Sequence, residues 1–282
     1  EDCEKLGMGA YLGVAQGSLQ SPKFIHLTYA PGRRARKRVV VIGKGVTFDS
    51  GGLDLKSADG MLRMKDDMAG AATVLGVFHV LPRLRLPIEV HGLIAATENM
   101  PSGTAQRPGD IVRAMNGLTV EIGNTDAEGR LTLADALVYA AREIKPDEML
   151  DLATLTGAVV IALGQQITGI MGSHDGVVNR ILGASEEAGE RMWRLPLHDE
   201  YKEGLKSDIA DLNNISSQRG AGSIIGGLFM REFTGGVPWA HLDIAGTAFS
   251  ERDWALGPKG ATGVGVRTIL AYLRRLGGAA RR

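Results

Sequence analysis

Strand and helix signals alternate along most of this chain, and that alternation predicts an α/β protein. The expected architecture is three-layer α/β/α, with a central mostly parallel (mixed) sheet and helices on both faces. Three observations carry the expectation. Arg38–Ile42 reads RVVVI, apolar enough for a central strand. From Asp67 to Leu81 the residues Met68, Ala71, Ala72, Leu75 and Phe78 recur at helical spacing, with Asp66 and Asp67 where a helix start favours acids. Ile88–Ala96 (IEVHGLIAA) then reads as a strand again.

The other elements follow in order. Lys23–Tyr29 (KFIHLTY) is a short strand ahead of the central one. Ile111–Ile122 reads as a hairpin, because Asn116-Gly117 supplies the two residues of a tight turn. A helix is expected at Leu131–Ile144, a strand at Glu148–Ala153 and a second apolar helical run at Leu155–Leu163. Further helices are expected near Asn179–Met192, Ser223–Phe233 and Thr262–Leu276, with a strand at Trp239–Ile244 between the last two. No internal repeat, low-complexity tract or Pro/Gly/Ser linker divides the chain, so residues 1–282 are expected to form one domain.

Composition bounds the function. Hydrophobic residues make up 44% and charged residues 23% of 282, as in ordinary soluble globular proteins. Lys plus Arg equals Asp plus Glu at 32 each, so no bulk field draws the chain to nucleic acid or to a membrane surface. The short basic run Arg33, Arg34, Arg36, Lys37, Arg38 reads as a solvated loop. No stretch reaches the 18 or so unbroken apolar residues of a membrane span. The opening Glu1-Asp2-Cys3-Glu4-Lys5 has no apolar core of a signal peptide, and the chain does not begin with Met. Cys3 is the sole cysteine, so no internal disulfide can form, which fits a reducing compartment. A cytoplasmic location is the expectation.

Ligands of open α/β sheets gather beyond the carboxyl ends of the strands, so the loops after Ile42, Ala96, Ile122 and Ala153 are the places to search. The first holds Gly43-Lys44-Gly45-Val46-Thr47-Phe48-Asp49-Ser50-Gly51-Gly52. It is not a phosphate loop: Lys44 is followed by Gly45 where the Walker pattern needs Ser or Thr, and Phe48 stands where the dinucleotide pattern needs its third glycine. A second segment runs from Asp54-Leu55-Lys56 to Met64-Lys65-Asp66-Asp67, and a third is Asn124-Thr125-Asp126-Ala127-Glu128-Gly129-Arg130. Together they gather Asp49, Asp66, Asp67, Asp126 and Glu128 with Lys44, Lys56 and Arg130. Any one carboxylate alone reads as a cap or a solvated charge. Several on neighbouring loops would repel one another unless cations hold them. Oxygen-rich ligation of this kind suits divalent Zn, Mn, Mg or Co, and a pair of such ions can activate a water and polarise a carbonyl.

Other chemistries fit less well. The six histidines show no HExxH spacing; His79 falls within a helix and His91 within a strand, as packing residues do. Ser173-His174-Asp175 cannot form a triad from sequence neighbours, and there is no G-x-S-x-G. Cys3 sits near an expected frayed end with no partner for reactivity. A metal hydrolase remains, of unspecified substrate.

NTDAEGR (Asn124–Arg130) resembles the signature of the leucyl aminopeptidase family of metallopeptidases. GKGVTFDSGG and the stretch from Lys56 to Asp67 resemble its other active-site segments, and the likeness continues through DLATLTGA, DLNN, RGAGS and WAHLDIAGTA. It runs from about Leu6 to Leu270. The resemblance implies that Lys44, Asp49, Asp67 and Glu128 bind one metal ion and that Asp49, Asp126 and Glu128 bind a second. It implies Lys56 and Arg130 as catalytic residues, Arg130 holding a bicarbonate that acts as general base. Met64, Thr154 and Gly157 match positions lining the pocket for the first side chain, and Asn124 and Leu155 match positions that contact the substrate backbone. Asp67 takes the ligand position by its spacing from Lys56, leaving Asp66 as a helix-start charge. The implied substrates are peptides with a free N-terminus, cleaved preferably after leucine and other apolar residues. The implied cofactors are two divalent ions, zinc or manganese, with magnesium or cobalt as alternatives. The implied assembly is a homohexamer of two stacked trimers. Family members usually carry a smaller N-terminal domain, which this chain lacks. The alternatives are a Cys-Gly-type dipeptidase, or a non-catalytic scaffold or DNA-binding homologue. Against the last stand the intact ligand positions and the absence of a basic face.

Overall fold

The computed structural model describes residues 1–32 and 34–278, so Arg33 of the basic run lies outside the described residues. The chain opens with helices α1 (Asp2–Lys5) and α2 (Gly9–Ala15), followed by strands β1 (Lys23–Tyr29) and β2 (Arg38–Asp49). Helices α3 (Ala58–Met61) and α4 (Ala69–Leu84) lead to β3 (Glu89–Asn99). Then come β4 (Ile111–Arg113), β5 (Thr119–Glu121), α5 (Glu128–Tyr139), β6 (Glu148–Ala153) and α6 (Gly157–Leu163). The remainder is β7 (Thr168–Gly172), α7 (Asp175–Ala188), β8 (Met192–Arg194), β9 (Leu212–Asn213), α8 (Gly222–Arg231), β10 (Trp239–Asp243), β11 (Phe249–Ser250), β12 (Gly260–Ala261) and α9 (Val266–Leu276).

Seven strands form the central sheet in the order β1-β3-β2-β6-β10-β7-β8. The four inner strands β3, β2, β6 and β10 are mutually parallel. At the flanks β1 pairs antiparallel with β3 and β7 antiparallel with β10. The sheet is therefore mixed, as expected. Successive residues of a strand face opposite sides, and the inner strands divide their side chains accordingly. Val40, Ile42, Met149 and Trp239 join α2, α5 and α8 in one buried cluster. Val39, Val41, Leu150 and Leu242 join α4, α7 and α9 in the other. Apolar residues at every position of β2 from Val39 to Ile42 thus follow from burial on both faces.

The structure departs from the expected elements at several places, each with a local cause. The central strand does not stop at Ile42 but continues to Asp49, so the glycine-rich segment is half strand. The hairpin is present, yet its strands part at Arg113 and rejoin at Thr119; Gly117, at φ +94°, makes a longer turn than the two residues expected. Helix α7 lies earlier than Asn179–Met192: the His174 side chain accepts from the Gly176 N–H at its start, and Gly189 ends it in the left-handed region. Helix α5 closes in a π turn over Ala140–Ile144. The region before α9 is taken by β12, which pairs with β11. Strands β7 and β8 and helix α2 were not anticipated; β7, TGIMG, carries two glycines and too little alternation to announce itself. Cys3 is partly buried against the α2/α5 core rather than frayed. In the basic run, Lys37 and Arg38 are bound in ion pairs with Glu148 and Glu89.

Two glycines set the spacing between α4 and the sheet. A Cβ on Gly70 would stand 2.8 Å from the Lys44 backbone nitrogen and overlap the Leu152 carbonyl, and a Cβ on Gly43 would overlap the Gly70 backbone. Neither glycine has a left-handed backbone, so close approach is what they provide. Alanine is the better helix former by about 1 kcal/mol, yet Gly70→Ala is expected to destabilise the protein by about 2–3 kcal/mol through overpacking. The urea midpoint checks this, and an unchanged or raised midpoint would show that the contact is slack.

Candidate active site

The carboxyl ends of the inner strands meet along one edge of the sheet, and the acidic segments identified in the sequence converge there. Asp49 ends β2, Asn99 ends β3, Thr154 and Leu155 follow β6, and Asp243 ends β10. Lys44 and Asp49 lie five residues apart on one strand, a spacing that in regular pleat would aim them at opposite faces. A bulge prevents this. Val46 pairs with Thr97 and Phe48 with Glu98, so Thr47 is the extra residue and both functional side chains reach the α5 side.

Four carboxylates and two ammonium groups interleave at this edge. Lys44 Nζ lies 2.8 Å from both Asp67 Oδ2 and Glu128 Oε1, and donates to the Thr154 carbonyl at 3.1 Å. Lys56 Nζ lies 2.8 Å from Asp49 Oδ2 and also pairs with Asp126. Lys44, Asp49, Asp67 and Glu128 are all at most 4% exposed. Thr154 Oγ1 donates to Asp67 at 2.6 Å, and the Gly51 N–H donates to Asp49 at 2.9 Å. Glycine at position 129, the second residue of α5, leaves room for the Lys44 side chain, since a Cβ there would sit 2.7 Å from Lys44 Nζ and push it aside.

Two ammonium groups are too few for four carboxylates, and the protonation equilibria record it. Burial pushes the Glu128 carboxyl up to about 8 and Asp67 up to about 6, while Lys44 pulls both the other way and the neighbouring acids add to the rise. Burial disfavours the Lys44 ammonium, but Asp67, Glu128 and Asp49 around it outweigh that and raise its pKa. Asp126, less deeply placed, is raised by desolvation against the pull of Lys56.

This donor set fits a cation. Asp49, Asp126 and Glu128 each offer an oxygen, all within 4.8 Å of one another. Asp67 Oδ2 and Glu128 Oε1 are buried near Lys44 without a well-directed hydrogen bond, so both keep lone pairs to give. Hard oxygen donors of this number suit a divalent ion.

A cavity of about 410 Å3 opens beside the cluster. Lys44, Asp49, Lys56, Met64, Asp67, Asp126, Thr154, Leu155 and Gly157 line it, as does Asp66, which sits in a 3₁₀ turn ahead of α4. Glu128, Arg130 and Asn124 do not. Glu128 lies beneath, 1% exposed. Arg130, buried and on the first turn of α5, donates to the Asn214 carbonyl at 2.6 Å, stacks over Phe229 at 6.0 Å and leaves its Nε unpartnered. Desolvation lowers its pKa to about 10. Asn124 shapes its own loop, its Oδ1 accepting from the Asp126 N–H at 2.7 Å.

The sequence reading missed the residues that hold the acids in place. Asn99 Nδ2 donates to Asp49 at 2.8 Å and to the Thr125 carbonyl at 3.1 Å, and reaches Glu128 at 3.5 Å. The available signal was a polar residue at the carboxyl end of a parallel strand, but the strand was ended at Ala96. Asn214 binds the backbone of Gly123 and Asn124, and Asp54 accepts from the Thr125 N–H at 2.7 Å. Asp243 receives Thr156 Oγ1 at 2.6 Å and fixes the turn after β6.

Residues 1–270 match the model of the cytosol aminopeptidase family, catalytic domain. The chain is 53% identical over 274 residues to a probable cytosol aminopeptidase of Sulfurihydrogenibium sp. (strain YO3AOP1), covering 97% of this chain and 54% of that protein. It is 52% identical over 274 residues to one of Persephonella marina (97% and 55% covered) and 54% over 274 to one of Gloeobacter violaceus (97% and 54%). The chain thus spans about half the length of these relatives. An edge of buried acids and lysines on this sheet, matched by identity above one half across almost the whole chain, places the protein in the cytosol aminopeptidase family.

Proposed function

We propose that this chain is a metal-dependent aminopeptidase that releases single residues, leucine and other apolar ones by preference, from peptides with a free N-terminus. One observation carries the reading: four carboxylates crowd around two lysines beside a cavity of about 410 Å3, with more negative charge than the lysines neutralise. Residues 1–282 would act as one catalytic domain. The family likeness further supports a cytoplasmic homohexamer of two stacked trimers; among the described residues no helix is long and apolar enough to cross a membrane.

Lys44, Asp49, Asp67 and Glu128 would hold one divalent ion and Asp49, Asp126 and Glu128 another, zinc or manganese, with magnesium or cobalt as alternatives. Such ions, when bound, supply Lewis acidity and lower the pKa of water. The protein's own groups do the rest. Lys44 must give up its proton to act as a ligand, and can do so because the charge of the ions replaces its own among the acids. Lys56, partly exposed to the cavity, would turn its ammonium toward the scissile carbonyl and stabilise the developing oxyanion. Arg130 would hold a bicarbonate as general base, its buried and unpartnered Nε being a donor in want of an acceptor. Met64, Thr154 and Gly157 would receive the first side chain, with Asn124 and Leu155 against the substrate backbone. The substrate's free α-amine would be a further donor to a bound ion, and an interior peptide bond has no free amine to offer. The balanced charge of the chain gives no support to a nucleic-acid-binding role, and the intact ligand positions give none to a non-catalytic scaffold.

Hydrolysis of leucine anilide by metal-free protein, before and after addition of Mn²⁺ or Zn²⁺, tests the reading. Activity should appear with metal, be absent on the N-acetylated substrate, and fall roughly 100-fold or more in Lys56→Ala and in Glu128→Ala. A metal-loaded protein that leaves the substrate intact would sink the proposal.

Metal affinity should rise with pH. Asp67 and Glu128 have raised pKa values, so protons occupy the acids through about 6 and 8 respectively and must leave when metal enters. Affinity is therefore expected to climb steeply between pH 6 and 8 with net proton release, read by calorimetry in two buffers of different ionisation enthalpy. No proton release at pH 7 would mean both that the acids are ionised without metal and that Lys44 keeps its proton when metal binds.

Asn99→Ala is expected to weaken metal binding about 10- to 100-fold, as loss of a ligand-orienting partner does. Calorimetric titration with Mn²⁺ decides it, since an unchanged affinity would make Asn99 a bystander.

A further inference from the structure

A second cavity of about 690 Å3 lies next to the one beside the acids. Two residues, Gln165 and Phe249, line both. Part of the wall between them is backbone. A Cβ on Gly246 would come 3.5 Å from Gln165 Cα and overlap the Gly164 carbonyl, so those two segments are pressed together and cannot part without moving main chain. The Gln165 side chain is exposed at the rim, whereas Phe249 is half buried. The Phe249 backbone is fixed by pairing with Ala261, which leaves its ring torsions free to change. The ring is clamped from the opposite lip, because the Arg63 guanidinium lies over it at 4.7 Å while pairing with Glu251. Arg63 and Glu251 are 49% and 46% exposed, so this clamp is weak. Behind the ring Trp254 lines the second cavity, its indole N–H buried without an acceptor.

We infer that Phe249 is a specificity-determining partition: its ring ends the pocket that receives the N-terminal side chain, and removing the ring joins that pocket to the second cavity. The inference rests on the aminopeptidase reading for what enters the pocket. The side chains to be gained are large aryl groups and long chains, which the 410 Å3 cavity shares poorly with the rest of a peptide and the additional 690 Å3 would accommodate.

The test uses the full chain loaded with Mn²⁺ and compares kcat/KM for 2-naphthylalanine and alanine amides in the parent, Phe249→Ala, Phe249→Trp and Arg63→Ala proteins. The naphthylalanine-to-alanine ratio should rise about tenfold or more in Phe249→Ala, fall in Phe249→Trp and rise less in Arg63→Ala. Because each value is a ratio within one protein, loss of folded material cancels. Calorimetric binding of free 2-naphthylalanine and leucine to the same four proteins gives a second readout that needs no turnover. If leucine and alanine substrates are cleaved but the ratio does not move, the partition is overturned and the aminopeptidase reading stands. If the parent cleaves nothing with metal bound, the aminopeptidase reading falls; the binding ratio then judges Phe249, equal ratios across the variants overturning the partition.

Discussion

Like charges buried together are the constraint on which this structure turns. Asp49, Asp67 and Glu128 are at most 4% exposed, with Asp126 beside them, and each would prefer water to its neighbours. Removing a carboxylate from water costs several kcal/mol even after relaxation. The fold tolerates it by placing Lys44 between Asp67 and Glu128 and Lys56 between Asp49 and Asp126, and by directing Asn99 and the Gly51 N–H onto Asp49. What remains uncompensated is the surplus of negative charge, and that surplus makes the edge a receptor for cations.

Much of the architecture nearby serves to bring those groups within reach. The extra residue Thr47 in β2 turns Asp49 to the face that Lys44 already occupies. Gly43 and Gly70 let α4 approach the sheet, which carries Asp67 at its entry toward Lys44, and Gly129 leaves room for the lysine chain. These are local irregularities in an otherwise regular three-layer structure, and each violates a preference of its own element. Glycine weakens a helix and a bulge interrupts a ladder, yet both lie where site geometry requires them.

The layers were legible because burial on both faces forces apolar runs such as Val39–Ile42 and Leu93–Ala95. The helix period was equally visible in α4, although the helix begins at Ala69, its first turn holds no acid, and Asp66 lies in the 3₁₀ turn ahead of it. The glycine-rich segment and NTDAEGR stood out since carboxylates on adjacent strand-end loops have few bland explanations. Other features were hidden for physical reasons. Strands β7 and β8 are short and weakly patterned, and the start of α7 depends on the His174 side chain, an uncommon cap. Asn99, Asn214 and Asp54 act through hydrogen bonds to groups 26 to 91 positions away, and no local pattern announces such a partner. Phe249 reads in sequence as one more apolar residue; only its place in the lining of both cavities gives it a distinct position.

Buried charge alone does not mark the site, as the opposite edge of the sheet shows. Glu148 begins β6 there, 1% exposed, and is met by Lys37 at 3.2 Å and by Arg180. Two cations answer one acid, both reach solvent, and Glu148 leaves no oxygen without a partner. Between the edges, Asp151 receives His241 Nδ1 at 2.6 Å and the Trp239 indole N–H at 2.7 Å, so both of its oxygens are engaged. The acids of those clusters are fully paired, although Arg180 Nε and His241 Nε2 beside them lack partners. At the carboxyl edge the ratio is reversed, two ammonium groups to four acids, and Glu128 and Asp67 answer the excess by holding protons at pH values where ordinary carboxyls have lost them. The sign of the imbalance separates a charge cluster that stabilises the fold from one that awaits a ligand.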